Sequence, residues 1–164
     1  MKTIYLDCSM GAAGDMLMAA LYELLPEKEA FLEKMNALGL PGITLSAEPS
    51  VKCGITGTHM RVLVHGEEES TAHTHGHSHD HEHAHSHAGL HEIEHRISHL
   101  ALSGTVRENV LAVYRSIADA ESRVHGVPVD EIHFHEVGAL DAVADIAAVS
   151  LLMDRTGEQT TSSA

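Results

Sequence analysis

The sequence contains no tryptophan, and aromatic residues make up only 3% of it. A hydrophobic core must therefore be built from aliphatic and methionine side chains. The chain supplies them, because 43% of its 164 residues are hydrophobic. That fraction is ordinary for a globular protein and argues against extensive disorder. The length is sufficient for one domain with its own core.

Cysteine and basic residues are also scarce. Cys8 and Cys53 form no CxxC pair, so neither a disulfide framework nor a thiolate zinc site is indicated. Lys and Arg number 10 against 24 Asp and Glu, which gives a formal net charge of −14 with His neutral. This charge disfavours nucleic acids and anionic membranes as partners and favours cations. The 16 His residues gain charge as the pH falls through about 6.5.

Long apolar runs are absent as well. No run approaches the roughly 18 residues needed to span a bilayer, and the first residues, MKTIYLDCSM, reach Asp7 before a signal-peptide core develops. These absences predict a cytoplasmic, soluble protein. In such a protein, Cys8 is either a small core residue or a soft metal ligand, and the first is commoner.

The spacing of apolar residues predicts alternating strands and helices in the first half of the chain. Residues 3–7 are predicted as a short buried strand, and a helix follows at about residues 14–25. A second helix begins at Pro26 and stops at Gly39. Two β-rich stretches then follow and are predicted to pair as antiparallel neighbours, residues 43–47 and 54–64.

Helical patterns dominate the second half. Thr105 and Glu108 form a sequence capping box, which predicts a long helix that stops at Gly126. Residues 129–134 are predicted as a strand, and a final helix follows Gly138.

This order of elements predicts an α/β or α+β fold, a two-layer domain in which helices pack on a small mixed sheet. The domain is expected to cover residues 1–155, with a disordered His-rich insert at residues 66–89. The polar residues 156–164 are predicted to form a frayed tail.

The His-rich insert has a regular pattern, because histidine occupies every second position in one stretch. Neighbouring imidazoles of an extended chain lie on one side and can chelate a borderline divalent ion such as Ni, Zn, Cu or Co. The alternative is a polar linker that binds metal only incidentally. The eight residues of this histidine run are His73, His75, His77, His79, His81, His83, His85 and His87.

Three further histidines follow the run at a spacing of four: His91, His95 and His99. This spacing places them along one face of a helix. They either continue the metal path towards the domain or form a solvated face in a His-biased region, and the sequence favours neither.

A more specific pattern is HFHEVGALDAVAD, which places imidazoles and carboxylates beside a glycine. His133 and His135 share one face of a strand, Glu136 lies at the following turn, and Asp141 and Asp145 share a helical face. One cavity can therefore hold nitrogen and oxygen ligands from two elements. The alternative is that the acidic residues stabilise the first half of the helix and His133 is a packed polar residue.

A second motif, DCSMGAAGDM, lies near the start of the sequence. Gly11 and Gly14 would let a ligand such as a phosphate approach the backbone between a strand and a helix. The motif lacks the lysine of a phosphate-binding loop, and Asp15 adds negative charge, so the nucleotide signal is weak. Asp7 and Asp15 are better interpreted as cation-handling groups, with a plain tight turn as the alternative.

Four stretches of the sequence resemble the LarC family of nickel-insertion proteins: DCSMGAAGDM, GITGTHMRVLV, IADAESRVHG and VDEIHFHEVGALDAVADI. The resemblance runs from the first residues to about Met153. It implies a nickel chelatase, a lyase that loads Ni²⁺ into pyridinium-3,5-bisthiocarboxylic acid mononucleotide. The product is the nickel-pincer nucleotide cofactor of lactate racemase and related enzymes, and CTP with Mn²⁺ or Mg²⁺ is required.

Nickel insertion of this kind needs exchangeable nickel ligands and a base for the proton displaced from the pyridinium carbon. On chemical grounds, we expect catalytic roles for His133, His135, Glu136, Asp7 and Asp15. Gly11 and Gly14 are the candidates for cofactor binding. The expected metal ligands are His133, His135, Asp141 and Asp145, together with the eight residues of the histidine run.

Two departures from the LarC pattern limit these expectations. Members of the family are much longer, and the C-terminal region that the family associates with CTP is absent from these 164 residues. We therefore expect an N-terminal nickel-insertion domain that needs a C-terminal domain as partner, does not bind CTP and is incomplete as an enzyme. Such a chain would be a truncated, split or frameshifted product. The position before the first motif glycine is often Ser in the family, whereas here it is Met10.

Two other functions remain open at this stage. The histidine run by itself fits a non-enzymatic nickel or zinc storage or delivery protein, and the HFHE motif fits a metal-dependent hydrolase. A homo-oligomer is compatible with the sequence.

Overall fold

A computed structural model of the chain describes residues 4–9, 11–68, 88–134 and 137–161. Within these residues, five α-helices surround strands that form one three-stranded and one two-stranded sheet. The α/β class is therefore confirmed. All strand pairs in this part of the chain are antiparallel, so two small antiparallel sheets take the place of the single mixed sheet that the sequence predicted.

The first half begins with two helices, α1 (Gly14–Glu23) and α2 (Lys28–Asn36), close to their predicted positions. The strand predicted at residues 3–7 is wrong for the residues that the structure describes there. Residues 4–7 are exposed and have no regular secondary structure, and the Tyr5 side chain is 87% exposed. A strand is defined by its hydrogen-bonded neighbour, and none of the described strands pairs with this segment.

The larger sheet is a hairpin of β1 (Ile43–Lys52) and β2 (Ile55–Val64), and β3 (Glu67–Glu68) pairs with the end of β2. The predicted antiparallel pairing is confirmed, with Ile43 opposite Val64. Strand β1 is longer than expected, because it continues through Pro49, and β2 lies within its predicted range. A proline is tolerated there because β1 is the edge strand of its sheet.

The tight turn of the hairpin consists of Cys53 and Gly54, which both have positive φ angles of 51° and 80°. Two such residues in succession match the turn that suits the natural twist of a hairpin. Asn36, at the end of α2, anchors β1: its Oδ1 accepts a hydrogen bond from the Leu45 N–H at 2.8 Å, and its amide donates to the Leu45 carbonyl at 3.0 Å.

The second half contains the remaining helices and the smaller sheet. The predicted strand at residues 129–134 is reduced to two residues, because a short 3-10 helix (Val129–Glu131) precedes it. The elements are β4 (Ala88–Gly89), α3 (Leu90–Ser98), α4 (Gly104–His125), β5 (His133–Phe134) and α5 (Leu140–Thr161).

Helix α5 is the centre of the core. It contacts α1, α4 and the large hairpin, and its buried face combines alanines with branched side chains. The alanines let neighbouring helices approach closely. This face consists of Val143, Ala144, Ala147, Ala148, Leu151 and Leu152. In the described part of the chain, no helix is both long and apolar enough to cross a membrane.

The N-terminal cap of α4 differs from the predicted one. The Oγ of Ser103 accepts a hydrogen bond from the Val106 N–H at 3.3 Å, whereas Thr105 already lies inside the helix. Ser103 has the extended backbone that a capping residue needs, with ψ 159°. The predicted end at Gly126 is confirmed, because this glycine has a φ of 68° and closes the helix in the left-handed conformation.

The cap assignment can be tested by two substitutions two residues apart. Ser103→Ala is expected to lower the free energy of unfolding by about 1 kcal/mol, because one N–H of the first turn loses its partner. Thr105→Ala is expected to change it by less than about half of that. Urea denaturation of both variants measures the difference. An equal or larger effect of Thr105→Ala would support the sequence capping box instead.

Candidate functional site at the junction of the two end motifs

The two motifs that the sequence singled out lie against each other. Gly14 is the first residue of α1, and Asp145 lies in the second turn of α5. A Cβ atom on Gly14 would overlap the Asp145 carboxylate and would lie 2.8 Å from the Asp145 Cβ and 2.9 Å from its Cγ. Any side chain at position 14 would separate the helices. Gly14, the second glycine of DCSMGAAGDM, is therefore required for packing against HFHEVGALDAVAD.

Asp145 is the most perturbed carboxyl group of this junction. Burial raises its pKa to about 6, and the negative charges of Asp15 and Asp141 add to the shift. Its Oδ1 atom is buried and has no hydrogen-bond partner in the described part of the chain. Three carboxyl groups from both motifs thus act on one another here. The junction favours a cation, because a positive charge would relieve both the repulsion and the missing partner.

The turn before α1 is built by Asp7 and Gly11. The Asp7 carboxylate accepts a hydrogen bond from the Ser9 N–H at 3.0 Å, which holds the pKa of Asp7 below its usual value. The Gly11 N–H donates to the Cys8 carbonyl at 2.9 Å, and Gly11 has a φ of 82°, which favours glycine. Asp7 and Cys8 are both exposed, so the interpretation of Cys8 as a core residue is wrong.

The start of α1 does not suit a triphosphate. Helix N-termini attract anions, but Asp15 lies in the first turn and the Asp145 carboxylate packs against Gly14. These two groups place negative charge where a phosphate would bind. The assignment of Gly11 and Gly14 to cofactor binding stays a prediction, and their observed roles are a turn and a close helix contact.

Tyr114 supports the second motif and was not identified from the sequence. Its hydroxyl donates to the Val137 carbonyl at 3.1 Å, and its ring packs edge-on against Phe134 at 5.8 Å between centroids. Burial raises the pKa of Tyr114, so the hydroxyl keeps its proton and remains a donor. Gly138 completes the turn, because a Cβ there would lie 3.1 Å from the Phe134 carbonyl oxygen and Cβ. The only sequence signal for Tyr114 is its place on the apolar face of α4.

His133 lies on β5 with its side chain exposed, and its backbone is paired with Gly89. The sequence predicted that Phe134 would point the opposite way into the core, and it is buried. His135 and Glu136 lie outside the residues that the structure describes, as do the eight residues of the histidine run. Their roles stay predictions.

Asp141 and Asp145 lie on α5 as the sequence predicted, and Asp15 reaches the same junction. No three His, Cys, Asp or Glu side chains among residues 4–9, 11–68, 88–134 and 137–161 are arranged to hold a metal ion by themselves. The metal set of His133, His135, Asp141 and Asp145 is therefore not assembled by described side chains alone, and it stays a prediction.

The close contact at Gly14 can be tested by Gly14→Ala. Alanine normally stabilises a helix by about 1 kcal/mol relative to glycine, but here the added methyl group would displace Asp145. We expect a net loss of about 1–3 kcal/mol in the free energy of unfolding. Gly104→Ala is the matched control, because a Cβ at this other helix start meets no atom within 4 Å. Urea denaturation of both variants gives the comparison, and a stabilising Gly14→Ala would contradict the contact.

The raised pKa of Asp145 predicts that this carboxyl group lowers the stability of the fold at high pH. The folded pKa of about 6 exceeds the usual 3.8, so the folded state binds the proton more tightly and loses stability as the pH rises from about 4 to above 6. One pKa unit corresponds to about 1.4 kcal/mol, and partial exposure reduces the total cost to about 1–2 kcal/mol. Asp145→Asn is therefore expected to stabilise the protein by this amount at pH 7.5.

Denaturation of wild type and Asp145→Asn between pH 4 and 8 measures this difference, which should vanish near pH 4. The exposed Asp119→Asn serves as the control. If Asp145→Asn raises the free energy of unfolding by the same amount at every pH, the ionisation of this buried carboxyl group is not the cause of the gain.

Comparison with known proteins connects this junction to one family. The chain matches the family described as nickel insertion protein over residues 4–163. A pyridinium-3,5-bisthiocarboxylic acid mononucleotide nickel insertion protein of Clostridium kluyveri is 42% identical over 159 residues, covering 94% of this chain and 38% of the relative. The protein of the same name from Akkermansia muciniphila is 39% identical over 156 residues, covering 94% and 36%. No solved structure matches the chain.

The match confirms the resemblance that the four sequence stretches indicated, and it includes both motifs that meet at Gly14 and Asp145. The chain spans less than two fifths of the length of these two relatives. Because the family match covers nearly all of the chain, the protein belongs to the nickel insertion protein family.

Proposed function

We propose that this chain is the N-terminal, nickel-handling part of a protein that inserts Ni²⁺ into pyridinium-3,5-bisthiocarboxylic acid mononucleotide. The substrate is the compound named in the relatives from Clostridium kluyveri and Akkermansia muciniphila. The observation that carries the proposal is the packing of Gly14 on Asp145, which brings carboxyl groups of both motifs to one junction. The product would be the nickel-pincer cofactor of lactate racemase-type enzymes.

The junction suits nickel as a substrate that must arrive and leave. Asp15, Asp141 and Asp145 concentrate negative charge and draw a divalent cation. Carboxylate oxygens hold borderline ions less firmly than thiolates do. The two cysteines of the chain are free and exposed. A nickel ion held in this way can be exchanged onto the two sulfur atoms of the substrate.

Formation of the nickel–carbon bond displaces one proton from the pyridinium ring, and a base must accept it. We assign proton acceptance and nickel delivery to His133, His135 and Glu136, which adjoin the start of α5 in the sequence. The exposed His133 side chain is accessible to a substrate that binds from solvent. Tyr114 and Phe134 hold the strand from which these residues extend.

The nucleotide requirement is assigned to the part of the longer relatives that this chain does not span. CTP with Mn²⁺ or Mg²⁺ would bind there, since the start of α1 carries the wrong charge for a triphosphate. This chain therefore contributes nickel and the junction, and the C-terminal domain is its partner in the complete reaction.

The proposal can be tested with a chimera in which this chain replaces the matched 38% of the Clostridium kluyveri relative. Purified precursor, Ni²⁺, CTP and Mn²⁺ are supplied, and mass spectrometry measures the nickel-containing product. We expect the chimera to form product and the unfused chain to form none. Asp15→Asn with Asp145→Asn should lower the rate at least about tenfold, whereas Asp119→Asn should leave it unchanged.

Deletion of residues 73–87 separates insertion from storage. At saturating Ni²⁺ we expect the deletion chimera to keep its rate, because supply no longer limits the reaction. Loss of all product at saturating Ni²⁺ would instead give the histidine run a direct part in insertion, and full activity of the doubly substituted chimera would remove the junction from the mechanism.

A further inference from the structure

Two histidines on α3 contact each other at the surface and take no part in the junction. The imidazole rings of His95 and His99 lie 4.5 Å apart between centroids, at an interplanar angle of 76°. Both side chains are exposed. His99 is the C-terminal capping residue of α3, and His95 precedes it by one helical turn. The third histidine of this spacing, His91, is exposed on the first turn.

The hydrogen bonds of His99 fix which ring nitrogen is free. Its Nδ1 lies 2.8 Å from the His95 carbonyl oxygen, which can only accept, so Nδ1 must carry the proton and donate. The Ser98 hydroxyl donates to the same carbonyl at 2.6 Å and lies 3.1 Å from Nδ1. In the neutral ring, Nε2 then keeps its lone pair. A backbone carbonyl that holds the other nitrogen in this way is the usual support of a metal-binding histidine.

The ring separation also matches two ligands on one ion. With a metal–nitrogen distance of about 2.1 Å, a ring centroid lies about 3.2 Å from the metal. Two imidazoles whose nitrogen–metal–nitrogen angle is about 90° then have centroids about 4.5 Å apart. Neighbouring ligands at right angles are typical of the tetragonal coordination of Ni²⁺ and Cu²⁺. The observed 4.5 Å equals this separation.

The carboxylates of α3 are engaged elsewhere. Glu92 accepts a hydrogen bond from Arg96 at 2.6 Å, and Glu94 binds Arg115 at 2.9 Å. In the described ranges, no third His, Cys, Asp or Glu completes a metal cluster with the two histidines. An ion bound here would keep water in its other positions, and water exchanges readily.

We propose that His95 and His99 form a two-imidazole site for a borderline divalent cation. The identification of that cation as Ni²⁺ rests on the proposed function, whereas the site itself rests on the ring geometry. Two protein ligands bind an ion less tightly than three or four, so this site passes its ion on. It stands between the histidine run and the HFHEVGALDAVAD motif in the sequence. Its role is therefore to supply nickel, and it contacts no substrate.

The test uses the full chain with all eight residues of the histidine run replaced by serine, so that their binding does not hide that of α3. Ni²⁺ is titrated at pH 7.5 by calorimetry. We expect one site per chain whose affinity falls at least tenfold in His95→Ala and in His99→Asn, separate from any tighter binding at the junction. The asparagine variant keeps an N–H that can donate to the His95 carbonyl, so α3 retains its cap while Nε2 is lost.

His125→Ala is the matched control, because this helical histidine is exposed and pairs with the Glu121 carboxylate at 3.0 Å. The affinity of the His125→Ala variant for Ni²⁺ should equal that of the parent chain, in which the histidine run is replaced by serine. Far-UV circular dichroism checks that each variant remains folded. Nickel binding that is unchanged in His99→Asn, or absent from the serine parent, overturns the site.

The result is independent of the insertion reaction, because the titration needs neither precursor nor CTP. If binding is lost in the variants and the chimera still makes no product, the site stands and the proposed function fails. If the chimera makes product and its rate at limiting Ni²⁺ is the same with His99→Asn, the supply role is wrong.

Discussion

The contact between Gly14 and Asp145 is the constraint on which the rest of this site depends. It forces the start of α1 against α5 and leaves no room for a side chain at position 14. The other carboxylate oxygen of Asp145, Oδ1, is buried without a hydrogen-bond partner among the described residues. Folding therefore places an energetic cost at this point, as functional sites often do. A bound cation would remove that cost, because it neutralises the charge that burial and two further aspartates disfavour.

The remaining elements hold this contact in place. The Tyr114 hydroxyl reaches from α4 to the Val137 carbonyl before α5, and its ring packs on Phe134 in the strand that carries His133. Gly138 allows the turn to pack directly under Phe134. Core side chains thus contact both Phe134 and Val137, the described residues on either side of the motif's His135 and Glu136, and such support suits a segment that positions reactive groups.

Under the proposed function, nickel handling by this chain divides into steps of different affinity. A chain with 24 acidic residues and 16 histidines attracts divalent cations over its whole surface. Two imidazoles on one helix and three carboxyl groups at the junction are weaker and more exchangeable than a closed site of three or four ligands. Such a sequence suits an ion that is cargo, since a tight resident site would retain it. In this proposal, the CTP chemistry is assigned to the additional length of the relatives, because the negative junction disfavours a triphosphate.

The sequence by itself determined the class of fold, the hairpin pairing, most helices and the family. These follow from local patterns: periodic apolar residues, a left-handed glycine at Gly126, and two motifs dense in aspartate and glycine. Local patterns failed at residues 4–7 and at the cap of α4, where strand pairing and backbone geometry decide. The spacing of four already placed His95 and His99 on one helical face. Only the tertiary structure showed that Asp145 faces Gly14 and that Tyr114 supports the second motif. Those contacts depend on how helices pack and which side chains lose water, and neither is encoded in the spacing of residues along the chain.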